Sequence, residues 1–198
     1  MKECTRKNQV RSLGGLNCGL GPMLWGKYVG GCGNGNSSCK IAKCSLEHGN
    51  IEYCFECKNY PCAHYQYVDE YDSFITHKHQ KKDLKKAQRI GIKQYNLEQK
   101  EKIQILSYLL SNYNDGRRKN FFCIAVNLLE VSELQEVMKL LQSNVELSLL
   151  PAKERSLYVV NAMKEIAERR NIEVRLRRKS RKDDVWWRIK IFGWLLEL

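Results

Sequence analysis

From Cys62 onward, apolar residues recur mainly at helical spacing. Ile103, Leu106, Leu109, Leu110 and Tyr113 fall on one face of a helix, with Asn96 placed as its N-cap and Glu98 and Gln99 in its first turn. Asn114-Asp115-Gly116 ends that helix as a turn. Phe121 to Leu129 is almost wholly apolar and predicts a helix at the centre of the core. Ser132 and Gln135 have capping-box spacing ahead of Val137, Met138, Leu140 and Leu141. Pro151 suits the first turn of a last helix that buries Leu157, Val160 or Val159, Met163 and Ile166. The period then changes to two. Ile172, Val174 and Leu176 alternate with charges, and so do Val185, Trp187, Ile189 and Ile191, which predicts two strands joined through residues 179–184.

Residues 12–62 show no such periodicity. They are rich in Gly and Cys, and Gly30 to Ser38 (GGCGNGNSS) reads as loop. The whole predicts a mostly α protein. Residues 1–66 form a small, irregular, Cys-rich zinc-binding module, and residues 67–198 form a helical domain with a short terminal β-hairpin at about 171–198.

Seven of the nine cysteines lie between residues 18 and 62. A Cys-x-x-Cys turn supplies two ligands of a tetrahedral zinc site, and a second pair must come from elsewhere. Cys54 and Cys57 form such a turn, Cys39 and Cys44 are the nearest second pair, and Cys62 is a fifth candidate for four places. Free thiols, disulfides and an iron–sulfur cluster are the competing readings. With 43% hydrophobic residues the chain can build a core without crosslinks. The polar N-terminus carries no secretory pattern and no apolar run is long enough to span a bilayer, so a cytoplasmic location with reduced thiols is expected.

The segments G15-L-N-C-G-L-G-P-M, G30-G-C-G-N-G-N-S-S-C-K-I-A-K-C-S-L-E-H-G and Y53-C-F-E-C-K-N-Y-P-C resemble the DUF3795 family, cysteine-rich proteins of bacteria and archaea. The resemblance continues through S73-F-I-T-H and N112-Y-N-D-G-R-R-K-N-F-F-C-I-A-V-N-L-L and covers roughly residues 13–178. It implies a cysteine-rich, zinc-binding N-terminal module followed by a helical domain, and no known activity. Gly21 and Val29 stand where the family often carries cysteines. A first site using Cys18 and Cys32 is therefore expected to be empty or weak, with Cys18 and Cys32 as buried free thiols or, alternatively, a redox-sensitive pair.

Other candidates carry plainer alternatives. His64 could replace a thiolate or simply begin a helix at the surface. His77 and His79 are about 200° apart on a helix and cannot chelate one ion together. His77 lies in the motif shared with the family, and a core or capping role competes with a site role. Cys123 reads as core packing, and Cys4 is uninformative. The formal net charge is +12. Lys78, Lys81, Lys82, Lys85 and Arg89 fall on one helix face, flanked by Lys86 and Lys93, and eight basic residues stand between Glu168 and Lys182. These stretches could track phosphates or be solvated faces. Asp115, Arg117 and Arg118 either bind an anion or cap and pair locally. The Trp-rich tail reads as a docked hairpin in preference to a peripheral membrane contact.

The functional expectation is a cytosolic zinc-binding interaction or regulatory module with a protein partner or anionic ligand. The alternatives are a thiol/redox or metal-dependent enzyme using Cys62 or Cys18 and Cys32, and a nucleic-acid binder using the basic helix face and arginine-rich C-terminus. No Ser-His-Asp arrangement, phosphate loop or acid pair is present.

Overall fold

The computed structural model describes residues 11–22 and 40–178. Among them are six α-helices: α1 (Lys40–Glu47), α2 (Gln80–Ile90), α3 (Ile92–Asn112), α4 (Lys119–Leu128), α5 (Val131–Ser143) and α6 (Ala152–Arg169). No helix among these residues is long and apolar enough to cross a membrane.

α3 is the central strut, packing against α2, α4 and α5. Its buried face, Tyr95, Gln99, Lys102, Leu106 and Leu109, repeats every three or four residues. α3 begins at Ile92, not at an Asn96 cap. Gly91 adopts φ +83, which lets α2 turn directly into α3 with one residue between them. The helix ends where expected, at Tyr113 and the Asn114-Asp115-Gly116 turn.

α4 is the core helix that its composition predicts. Phe122, Cys123, Ala125, Val126 and Leu128 are all nearly inaccessible to solvent, each large one contributing roughly 1.5–3 kcal/mol of burial. Phe122, Cys123, Ala125 and Val126 meet Leu106 and Leu109 of α3, Leu134 of α5, and Val159 and Met163 of α6 in one cluster. Cys123 is part of that packing.

Two caps differ from the sequence pattern. Glu130, not Ser132, caps α5: the Glu130 backbone N–H donates to Glu133 Oε2 at 2.7 Å. The same three-residue spacing occurs two residues earlier, where Glu130 has the extended backbone of an N-cap and Ser132 is already helical. Pro151 caps α6, whose Val159, Val160, Met163 and Ile166 are buried, while Leu157 stays 44% exposed because it lies off that face.

No strand occurs among the described residues, and 172–178 is irregular, with a bend at Arg175. Ile172 and Val174 alternate because one side packs on the helical core. Further along, the Arg177 N–H donates to Asp72 Oδ2 (2.7 Å) and its carbonyl accepts from Asp72 N–H (2.8 Å). The second expected strand, Val185 to Ile191, lies outside the described residues.

Residues 11–21 form a strap between the cysteine segment and the helices. A tight turn at 12–16 places Gly15 at φ +92, directly on α2. A Cβ there would stand 2.6 Å from Leu84 Cγ and 2.9 Å from the Gln80 carbonyl. Leu13 accepts a hydrogen bond from Cys54 N–H (3.2 Å), and Gln80 Nε2 donates to the Gly14 carbonyl (2.6 Å). Leu20 then enters the helical core.

Candidate metal centre

α1 places Ile41, Cys44 and Ser45 on one face, with the chain leaving the helix through Gly49 at φ +83. Ser45 Oγ donates to the Ile51 carbonyl (2.8 Å) and folds the following loop back. That loop leads into a short 3-10 turn, Cys54–Glu56. Glu56 Oε2 accepts from the N–H groups of Glu52 and Tyr53, and Cys57 N–H donates to the Cys54 carbonyl (3.1 Å). The Cys-x-x-Cys pair thus sits on one tight turn. After the cis Tyr60–Pro61 bond comes Cys62, and Tyr65 N–H donates to its carbonyl (2.9 Å).

These elements bring Cys44, Cys54, Cys57 and Cys62 to one cavity of about 20 Å³, with Ile41, Ser45, Ile51, Tyr60, His64 and Tyr65 completing its wall. A space of that size holds one water or one ion. All four thiols are half-buried and unoxidised. Burial, then the neighbouring Cys62 and Cys57, pushes the Cys44 thiol up. Burial also raises Cys54, to about 11, against a lowering contact from the Tyr65 hydroxyl. Cys44 Sγ lies 3.6 Å from His48 Nδ1. No group of three or more His, Cys, Asp or Glu side chains among the described residues is arranged as it stands to hold a metal ion. The thiols share a cavity without forming a closed shell around a point.

The donor set nevertheless fits zinc in chemistry and in size. The Tyr65 hydroxyl supplies a further test. It is buried on the cavity wall beside Cys54 and finds no oxygen or nitrogen to bond with. A protonated thiol leaves that donor poorly satisfied, whereas a metal-bound thiolate is a good acceptor for it.

Residues 23–67 match DUF3795. The description of that family is a protein of unknown function, and the matched segment holds all four cavity thiols and Tyr65. It stops at residue 67, well short of the wider span that the motifs suggest. No curated protein and no solved structure matches the chain. The DUF3795 segment therefore has its cavity chemistry as the main guide to function.

The remaining candidates separate clearly. Cys39 and Cys32 lie outside the described residues, as do Val29 and Cys4. Cys18 is disulfide-bonded, not a free thiol. At Gly21, a Cβ would stand 3.2 Å from the Cys18 carbonyl and 3.4 Å from Ile75 Cδ1. His64 is exposed but lines the cavity. His77 is a tying residue: Nδ1 meets the Val68 carbonyl and Nε2 meets Ser73 Oγ, both at 3.0 Å. Asp115 pairs with Arg118 and accepts from Arg117 N–H (3.1 Å), so it caps the turn.

One group of residues escaped the sequence reading. Asn17 Nδ2 donates to Asp83 Oδ2 (2.8 Å), Tyr95 Oη donates to Asn17 Oδ1 (3.2 Å), and Lys102 Nζ donates to the Asn127 carbonyl (3.2 Å). Arg11 stacks 4.0 Å over the Tyr95 ring. Burial pushes Lys102 down and Asp83 up, and each opposes the shift of the other. The signal was Gln99 and Lys102 in register with Leu106 and Leu109, polar residues on an apolar stripe.

Proposed function

We propose that Cys44, Cys54, Cys57 and Cys62 hold one zinc ion, and that the chain is a cytoplasmic structural-zinc interaction or regulatory module. Convergence of four thiols on a cavity sized for a single ion carries this reading. Zinc supplies the cross-link that the segment otherwise lacks. Four thiolates leave no open position on the ion, so its role is structural. Cys39 is then the spare candidate of the five. An iron–sulfur cluster uses the same ligand type and is the competing occupant.

Elemental analysis and an absorption spectrum of protein purified without added metal test this. Zinc at one per chain without a visible band, lost in Cys57→Ser, is the expected result. A visible band with iron replaces zinc by a cluster, and absence of metal removes the reading. Tyr65→Phe should keep the metal but release it faster to a chelator, because the thiolate loses its hydroxyl donor. An unchanged release rate would dismiss that role for Tyr65.

The disulfide at Cys18 favours a second reading, in which thiol oxidation near the strap regulates the module. Counting accessible thiols with and without reductant distinguishes it, since an unchanged count rules it out.

A further inference from the structure

The two basic stretches of the sequence, separated by about 80 residues, meet in the fold. The Arg177 guanidinium bonds Asp72 (3.1 Å), and Lys78 Nζ donates to the Glu173 carbonyl (2.5 Å). The segment 172–178 therefore lies alongside the chain that leads into α2. α2 continues this surface with Lys81, Lys82, Lys85, Lys86 and Arg89 around an open groove of about 600 Å³. The one carboxylate lining it is Glu130.

Carboxylates fix three of these cations in place. Asp69 bonds Lys81 (2.7 Å), and Glu130 bonds both Lys82 (3.3 Å) and Lys86 (2.9 Å). Burial works against the Glu130 charge, but those ammonium groups prevail and hold its carboxyl at about 2. Lys85 and Arg89, one turn apart on the exposed side, form no ion pair among the described residues. Two unpaired cations next to a set of fixed ones leave the groove positive.

We propose that this groove binds the phosphodiester backbone of a double-stranded nucleic acid. Its lining carries no apolar side chain to enter a lipid interface. It also carries no aromatic on which unpaired bases could stack, so the backbone of a duplex is the matching polyanion. Contact of this kind positions the protein without reading sequence.

Fluorescence anisotropy with a short labelled DNA duplex, and with the RNA duplex of the same sequence, tests the proposal from about 50 to about 200 mM salt. Binding to either is expected, weakening steeply with salt, and the two arms show which duplex is preferred. The double variant Lys85→Glu, Arg89→Glu should lose affinity on the order of tenfold per contact at about 0.1 M salt and flatten the salt slope by about two. Lys153→Glu with Lys164→Glu changes the net charge equally on the exposed side of α6 and should keep the slope. All four positions are exposed, and thermal unfolding verifies that each variant folds. Three results overturn the proposal: no duplex binding at the lowest salt, equal losses in both double variants, or capture by anionic vesicles without duplex binding.

Discussion

The larger apolar cluster joins eighteen buried residues, all but Leu20 drawn from α3 to α6 and the turn between them, whereas the cluster near the thiols has two, Leu13 and Ala42. Both regions are helical or turn-rich, yet only the first can be ordered by burial. At roughly 1.5–3 kcal/mol per large side chain, one cluster of two buried residues does not offset the backbone entropy of residues 40–66. The second region depends on polar devices: the Glu56 cap, the Ser45 bond to the Ile51 carbonyl, and the convergent thiols. A short segment with so small a core needs a staple, and the metal proposed for the four thiols would be one.

The largest effect should come from the burial side. Phe122→Ala removes a fully buried ring from the centre of the large cluster and should cost about 3–5 kcal/mol in urea unfolding. Below that transition, hydrogen exchange of residues 41–65 should be unchanged. If exchange there rises together with that of α4, the two regions share one stabilising source and the contrast between them fails.

Gly15→Ala attacks the strap that touches both regions. The added methyl group meets Leu84 and the Gln80 backbone, in a left-handed conformation that side chains resist. A loss of about 3 kcal/mol is expected, with faster exchange at α2 and at Cys54 alike. A neutral substitution would show that the strap lies loosely on α2 and transmits nothing.

That strap also explains how legible the molecule was in its sequence. α4 and α6 could be read directly, because a long apolar stripe has one way to be buried. The cap of α5 moved by two residues, to Glu130, because several nearby side chains can bond the same N–H groups, whereas α3 starts five residues early because Gly91 makes the turn. The alternation at 172–178 misled, since one-sided packing gives the period of a strand without a paired neighbour. The Cys54–Cys57 turn was legible from its spacing. The Asn17 contacts were not, because Asn17 meets Asp83 across 66 residues and Tyr95 across 78, and such pairs leave no local pattern.

The smallest expected effect is set by pH at the junction of α2 with α5. Burial, then Lys82 and Lys102, push His79 from 6.5 down to about 4. A depressed pKa means that the unfolded chain takes up the proton first, so stability is full above about 6.5 and falls as pH drops towards 4. With partial solvent access the loss should be about 2 kcal/mol over that window. Glu130, held at about 2 by Lys86 against burial, adds a second loss between 4.5 and 2. His79→Gln should abolish the upper window and leave the lower one. The helical body would then be the pH-sensitive half of the comparison between about 6.5 and 4. If the variant retains the full pH dependence over that range, the sensitivity belongs elsewhere and the cysteine segment becomes the first place to look.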